Sequence, residues 1–172
     1  VLPWPLLFWW FFRAHNLNPD EVYLLAGDEC VVSKSGQQTH GVDRFFSSLS
    51  GKPIPGVSFF SLSLIGTTER RSHPMMVEQV VRTEAEKEAA KTRRRIRKAK
   101  PKTKQGKRGR PKGSKNKDKT QVTFTPEFER VKAMISKQLA LINGTITIEH
   151  VVLDGHFGNN AAVQMVLQCG LH

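Results

Sequence analysis

Cysteine is scarce in this sequence, and the histidines are scattered. The two cysteines, Cys30 and Cys169, form no CxxC pair and have no histidine at metal-ligand spacing. This excludes a disulfide framework and a conventional zinc site, and it favours a reducing compartment. The six histidines include no pair at the i, i+4 spacing of a helical metal site.

A hydrophobic run long enough to span a membrane is also missing. The apolar residues 1–12 include Pro3 and Pro5, whereas about 20 residues are needed to cross roughly 30 Å of hydrocarbon. A basic start and a small-residue cleavage site, which mark a secretory signal, are not visible. We therefore expect no membrane contact and a buried N-terminal helical segment at residues 1–20. The absence of an initiator methionine suggests a fragment.

Positive charge is abundant but confined to one segment. Residues 91–119 carry sixteen Lys or Arg and one acid, so the net charge of +12 leaves the rest of the chain at −3. A near-neutral body with one cationic tract indicates a dedicated polyanion contact, most often with nucleic acid. Nuclear localisation, or a linker kept soluble and extended, is the alternative use of such a run.

Apolar and β-branched residues predict strands at residues 22–32, 57–66 and 146–154. The Gly- and Pro-rich residues 51–56 predict a stiff break before the second strand. From Val77 onward the sequence is helix-permissive, until the Lys, Gly and Pro of the basic tract end any regular pattern.

The last third of the chain predicts two helices. Thr125 can cap the first, Pro126 suits its first turn, and Asn143 with Gly144 can end it. The second runs from an asparagine cap to Gly170. Strands and helices together predict an α/β fold.

Two aspartates follow apolar strand residues, Asp28 after YLLAG and Asp154 after HVVL. In α/β sheets, ligand-binding and catalytic groups gather at the carboxyl ends of strands, so the two would meet if their strands were neighbours. Adjacent carboxylates repel each other unless they share a proton or a divalent cation. Oxygen ligands without nearby His or Cys favour Mg²⁺ or Mn²⁺ over zinc.

Each aspartate also has an ordinary structural explanation. An acid after an apolar strand is common as a helix cap or turn former. Glu29 and Asp43 are rival acids. Strand alternation points Glu29 to the face opposite Asp28, and Asp43 beside Arg44 suggests a local ion pair.

Four segments in order resemble a known family. YLLAGDECVVSKSG, HGVDRFFSSLSGKPIPGVSFFSLSLI, KRGRPKGSKNK and VVLDGHFGN are similar to the DDE-type transposases of bacterial insertion sequences. The resemblance implies an RNase H-like mixed sheet with flanking helices. It also implies Mg²⁺- or Mn²⁺-dependent cleavage and joining of double-stranded DNA at transposon ends, in the bacterial cytoplasm at the nucleoid. It allows for a homodimer in an intact parent.

By this resemblance, Asp28 on the first strand and Asp154 at the end of the family's fourth strand are catalytic metal ligands. The family's third acid, on a later helix, has no counterpart here. We therefore expect the chain as given to be inactive. We also expect the sheet to be incomplete at its C-terminal end, with the fourth strand unpaired on one side.

The expected organisation is a catalytic domain in two parts, residues 21–82 and 121–172, interrupted by a basic, largely disordered insertion at residues 83–120. Its core resembles an AT-hook, in which Arg108 and Arg110 enter the narrow minor groove of A·T-rich DNA. The predicted DNA-binding residues are Lys107, Arg108, Gly109, Arg110, Pro111 and Lys112. A generic polycationic linker explains them equally well.

Two other functions remain open. The first is a non-catalytic, A·T-rich DNA-binding protein that acts through the insertion and uses the α/β body as a scaffold. The second is a degenerate reading frame whose product does not fold stably.

Overall fold

The computed structural model describes residues 2–36, 38–99 and 118–172. The chain divides into two compact units, a larger one of residues 1–81 with 122–172 and a smaller one of residues 82–121. The elements of the larger unit, in chain order, are α1 (Trp4–His15), β1 (Tyr23–Ser33), β2 (Asp43–Ser47), β3 (Lys52–Gly66), β4 (Arg71–Val80), α3 (Pro126–Ile142), β5 (Ile148–Leu153), a 3₁₀ helix (Gly155–Phe157) and α4 (Asn160–Gln168). The smaller unit contains α2 (Glu84–Ala99).

The five strands form one mixed sheet. β3 is antiparallel to β1 along one edge, and to β2 and β4 in succession along the other. β5 runs parallel to β1 on the far side of β1 from β3. The predicted mixed sheet with flanking helices is therefore confirmed.

One face of the sheet carries the hydrophobic core. Leu25 of β1 and Leu62 and Leu64 of β3 are fully buried. They share one apolar cluster with Phe12 of α1 and Ile135 of α3. Since strand side chains alternate between faces, this packing fixes which residues of β1 point to the opposite side.

The opposite face of the sheet is more open. Asp28 and Cys30 of β1 are exposed, and Ser61 and Ser63 of β3 are half-buried. Val152 of β5, on the same face, exposes 54% of its surface. Side chains on this face can therefore be reached from solvent.

The helix boundaries follow the predicted capping residues. The Phe128 N–H donates to the Thr125 hydroxyl at the start of α3, with Pro126 in its first turn. Asn143 ends α3 in the left-handed conformation. At α4, the Asn159 side chain accepts from two backbone N–H groups.

Two local predictions are wrong. Residues 77–80 belong to β4, not to a helix, because β4 pairs with β3 up to the Ser58–Val80 position and tertiary pairing overrides a weak helix propensity. Residues 52–56 form the start of β3 instead of a break, and this part of β3 pairs with β2.

The N-terminal helix is less buried than expected. Trp9 and Phe12 of α1 lie in the core, whereas Trp10 and Phe11 are 59% and 62% exposed. An apolar run on a helix points in all directions, and only one stripe of it meets β4. None of the described helices is long and apolar enough to cross a membrane.

β5 lies at one end of the strand order and pairs with β1 alone among the described strands, as expected. The His172 N–H donates to the Glu149 carbonyl at 2.8 Å, and the Val151 N–H donates to the His172 carbonyl at 2.9 Å. This reciprocal pattern is that of a parallel bridge. These two bonds satisfy backbone groups of Glu149 and Val151 on the outer edge of β5, and no described strand pairs there.

The smaller unit contains α2, which agrees with the helix-permissive sequence after Val77 and makes residues 84–99 a helical part of the insertion that was expected to be largely disordered. A capping box starts the helix, since the Thr83 hydroxyl accepts from the Glu86 N–H and the Glu86 carboxylate accepts from the Thr83 N–H. Glu84 and Glu86 in its first turn suit the helix dipole. The predicted AT-hook, residues 107–112, lies outside the described residues.

Candidate functional site

The two predicted site aspartates directly follow the last residue pair of the ladder between two neighbouring strands. In the parallel β1–β5 ladder, Ala26 pairs with Val152 and Gly27 with Leu153. Asp28 is the next residue of β1, Asp154 is the first residue after β5, and both are exposed. Strand alternation puts Asp28 on the open face of the sheet, together with Ala26 and Val152.

Asp28 is held within the sheet. Beyond Gly27, β1 still pairs with β3, and Asp28 lies opposite Ser61. The Ser61 hydroxyl donates to the Asp28 carbonyl at 3.3 Å, and the Glu29 N–H donates to the Asp28 carboxylate at 2.9 Å. The backbone that carries this carboxylate is therefore fixed by the antiparallel ladder.

Asp154 lies just past the end of β5 and caps the 3₁₀ helix. The Gly155 N–H donates to one oxygen of its carboxylate, and the Phe157 N–H donates to its carbonyl at 2.8 Å. The structural explanation for Asp154 as a cap is thus correct. A cap uses one carboxylate oxygen, so it is compatible with metal ligation by the other.

The turn after Asp154 is anchored in two ways. The Phe157 ring is buried and meets the rings of Phe60 and Phe128 edge-on, at centroid distances of 5.9 and 5.7 Å. His156 Nε2 lies 3.0 Å from a carboxylate oxygen of Glu127. His156 lies in the VVLDGHFGN segment, but nothing in the sequence indicates that it contacts Glu127, which is distant in the chain.

Close packing just before Asp28 requires a glycine. A Cβ atom at Gly27 would lie 2.7 Å from Leu153 Cδ2, 2.8 Å from Phe60 Cζ and 3.3 Å from Leu62 Cδ2. These are below ordinary contact distances for carbon atoms. The absence of a side chain at this position lets β1 lie close to the Leu153 side chain, next to the two aspartates.

The rival acids lie elsewhere. Glu29 is half-buried on the opposite face from Asp28, and its carboxylate accepts a hydrogen bond from the Ser58 hydroxyl. Asp43 is at the start of β2 and accepts from the Arg44 N–H at 2.7 Å. The Arg44 guanidinium donates to the Pro53 carbonyl.

The carboxylate oxygens of Asp28 and Asp154 are donor atoms that suit a hard divalent cation. Among the described residues, no group of three or more His, Cys, Asp or Glu side chains is arranged to hold a metal ion. Mg²⁺ keeps several water ligands and is commonly held by one or two carboxylates together with substrate phosphates. The carboxylates of Asp28 and Asp154 therefore fit Mg²⁺ or Mn²⁺ better than zinc.

Comparison with known proteins identifies the family. A sequence model of the family described as DDE superfamily endonuclease matches residues 6–172, nearly the whole chain. No curated protein and no solved structure matches the chain significantly. An endonuclease domain has DNA as its substrate, in agreement with the concentrated positive charge of residues 91–119. The chain belongs to the DDE superfamily endonuclease family.

Proposed function

We propose that this chain carries two metal-binding acids of a transposase site that cuts and joins DNA, with Asp28 and Asp154 as the ligands. The main support is the register of the parallel ladder, in which Gly27 pairs with Leu153 and an aspartate follows each of them. Two aspartates far apart in the sequence thus directly follow paired residues of neighbouring strands, an arrangement from which both carboxylates would bind one cation.

The chemistry needs negative charge held in a fixed place and open to a large substrate. Bound Mg²⁺ would supply charge stabilisation for phosphoryl transfer. The protein contributes Asp28 on a rigid ladder and Asp154 on a capped turn. Both are exposed, so a DNA backbone can approach them.

DNA binding is assigned to the basic tract. Its sixteen Lys and Arg in residues 91–119 would contact phosphates and release counterions, so affinity should fall steeply as salt increases. We further assign Arg108 and Arg110 to the minor groove of A·T-rich DNA, in the manner of an AT-hook. The substrate we propose is the end of a bacterial insertion sequence.

We expect metal binding without efficient cleavage from the 172-residue chain. Two metal ions are usual for phosphoryl transfer of this kind, and they need more carboxylate oxygens than two aspartates supply. Within the described ranges no third acid joins Asp28 and Asp154 in a metal-binding group. Weak binding of one ion is the expected property.

The test compares Mn²⁺ binding in Asp28→Asn, Asp154→Asn and Asp20→Asn, measured by electron paramagnetic resonance. Asp20 is an exposed acid in the turn before β1, and its variant controls for the lost charge. Loss of one ligand should weaken Mn²⁺ binding at least tenfold in the first two variants and leave the third unchanged. Thermal melting should show all three folded.

Equal Mn²⁺ binding by all three variants would show that neither Asp28 nor Asp154 is a metal ligand. If DNA binding were also unchanged and insensitive to metal, the non-catalytic DNA-binding function would be favoured. No cooperative melting transition in the wild-type chain, with or without Mg²⁺, would instead favour the degenerate reading frame.

A further inference from the structure

We propose that the first turn of α3 is a positioning clamp for Asp154, with Glu127 as its key residue. The inference rests on the proposed role of Asp154 as a metal ligand. It adds a second element to the site, because α3 itself provides no ligand in the proposal above.

Two consecutive residues of α3 hold two consecutive residues of the Asp154 turn. The Glu127 carboxylate accepts from His156 Nε2 at 3.0 Å. The next residue, Phe128, meets Phe157 edge-on with ring centroids 5.7 Å apart. Both contacts come from the helix turn that the Thr125 cap fixes.

Asp154 needs such support more than Asp28 does. Asp28 lies in the middle of the β1–β3 ladder. Asp154 follows the last β1–β5 pair, so its position depends on the turn beyond it. With Phe157 as its only contact to α3, the turn could rotate about that ring. The second contact, at His156, prevents this rotation and so sets the direction of the Asp154 carboxylate.

The Glu127–His156 contact adds little to the overall stability of the domain. The two side chains expose 41% and 60% of their surface, and pairs this exposed contribute little to folding free energy. An effect of Glu127 on the turn can therefore be separated from unfolding of the domain.

The experiment uses three variants of the whole chain. Glu127→Ala removes the contact, and Glu127→Gln keeps a side-chain oxygen that accepts from His156. Glu129→Ala is the matched control, because Glu129 is an exposed acid in the same helix turn. It controls for lost charge near the helix N-terminus, where acids are favourable.

The first measurement is hydrogen exchange of the Phe157 and Gly158 amides without metal. Both amides donate within the turn, to Asp154 and Gly155 respectively. Exchange should be about two- to fivefold faster in Glu127→Ala, the range expected for loss of an exposed pair. Glu127→Gln should remain close to the wild type, and Glu129→Ala should match it.

The second measurement is Mn²⁺ affinity, with Asp154→Asn as the reference. Glu127→Ala should bind Mn²⁺ about two- to fivefold more weakly, because the loss of affinity cannot exceed what this exposed contact contributes to ordering the turn. Glu127→Gln should recover most of the loss. Melting temperatures should fall slightly and equally in Glu127→Ala and Glu129→Ala, since each loses an acid near the start of α3.

Two results would overturn the clamp. One is identical exchange in Glu127→Ala and Glu129→Ala. The other is Mn²⁺ affinity that depends on Asp154 but not on Glu127. A third result would separate the two proposals. If exchange were faster in Glu127→Ala but Asp154→Asn did not change Mn²⁺ affinity, the Glu127–His156 contact would be supported and the proposed metal site would be overturned.

Discussion

Gly27 and Leu153 form the last residue pair of the parallel β1–β5 ladder, and an aspartate follows each of them. The separation of β1 and β5 at this level therefore limits how close the backbones of the two aspartates can lie. Gly27 also lies under the side chains of Leu153 and Phe60. Gly27 therefore affects both the packing of the core and the geometry of the candidate site.

Gly27→Ala should destabilise the domain by about 1–3 kcal/mol, the usual cost of overpacking a core. The added methyl group would meet Leu153 and Phe60 below 3 Å. The cost is limited by how far those side-chain ends can shift. Urea denaturation monitored by tryptophan fluorescence measures it.

Gly155→Ala is the control for Gly27→Ala. Gly155 follows the other aspartate, and a Cβ atom there has no neighbour within 4 Å. Gly155→Ala should change the free energy of unfolding by no more than about 0.5 kcal/mol, as most surface substitutions do. Equal destabilisation by both variants would contradict the packing explanation for Gly27.

Asn159→Ala should lower stability by about 0.5–2 kcal/mol through loss of the α4 cap. The Asn159 side-chain oxygen accepts from the N–H groups of Ala161 and Ala162 at 3.0 and 3.2 Å. Asn159→Asp keeps this acceptor and should lose little. If the aspartate variant were as unstable as the alanine variant in urea denaturation, the cap would not be the cause.

Stability should fall in acid partly through Glu21. The Thr68 N–H donates to one carboxylate oxygen of Glu21 at 2.8 Å and the Glu69 N–H to the other at 3.0 Å. These bonds, that from Thr68 above all, lower the pKa of Glu21, against a smaller opposing effect of desolvation. The stabilisation is therefore fully present above the unfolded-state pKa and is lost as pH falls through the folded-state pKa.

The measurement for Glu21 is the difference in unfolding free energy between wild type and Glu21→Gln as a function of pH. The difference should be constant near neutral pH and should narrow in acid. Asp20→Asn controls for the loss of a neighbouring charge. A difference that stays constant into acid would show that these hydrogen bonds do not favour the ionised form.

Replacement of Arg108 and Arg110 by Ala should weaken binding to A·T-rich duplexes by roughly tenfold more than binding to G·C-rich duplexes, since arginine prefers narrow minor grooves. Lys115→Ala with Lys117→Ala removes the same charge from the tract and should weaken both equally. Fluorescence anisotropy at two salt concentrations measures both. A uniform loss from the arginine variant would favour plain phosphate contact.

The sequence predicted much of the local structure correctly. The apolar strand residues around Asp28 and Asp154, the Thr125 cap, the Asn143 helix end and the Asn159 cap all depend on near neighbours. The helix expected at residues 77–80 depended on local propensity alone. It was wrong because β3 offers those residues a partner strand.

The sequence by itself determined the places of β1, β5, α3 and α4, the caps of the two helices, the location of the positive charge and, through the order of its motifs, the family. Only the tertiary structure decided that β1 and β5 are neighbours, that Gly27 pairs with Leu153, and that Glu127 reaches His156. The reason is physical. Apolar periodicity and capping report how a segment buries itself and how it ends, whereas strand order and contacts between distant residues depend on how the whole chain packs.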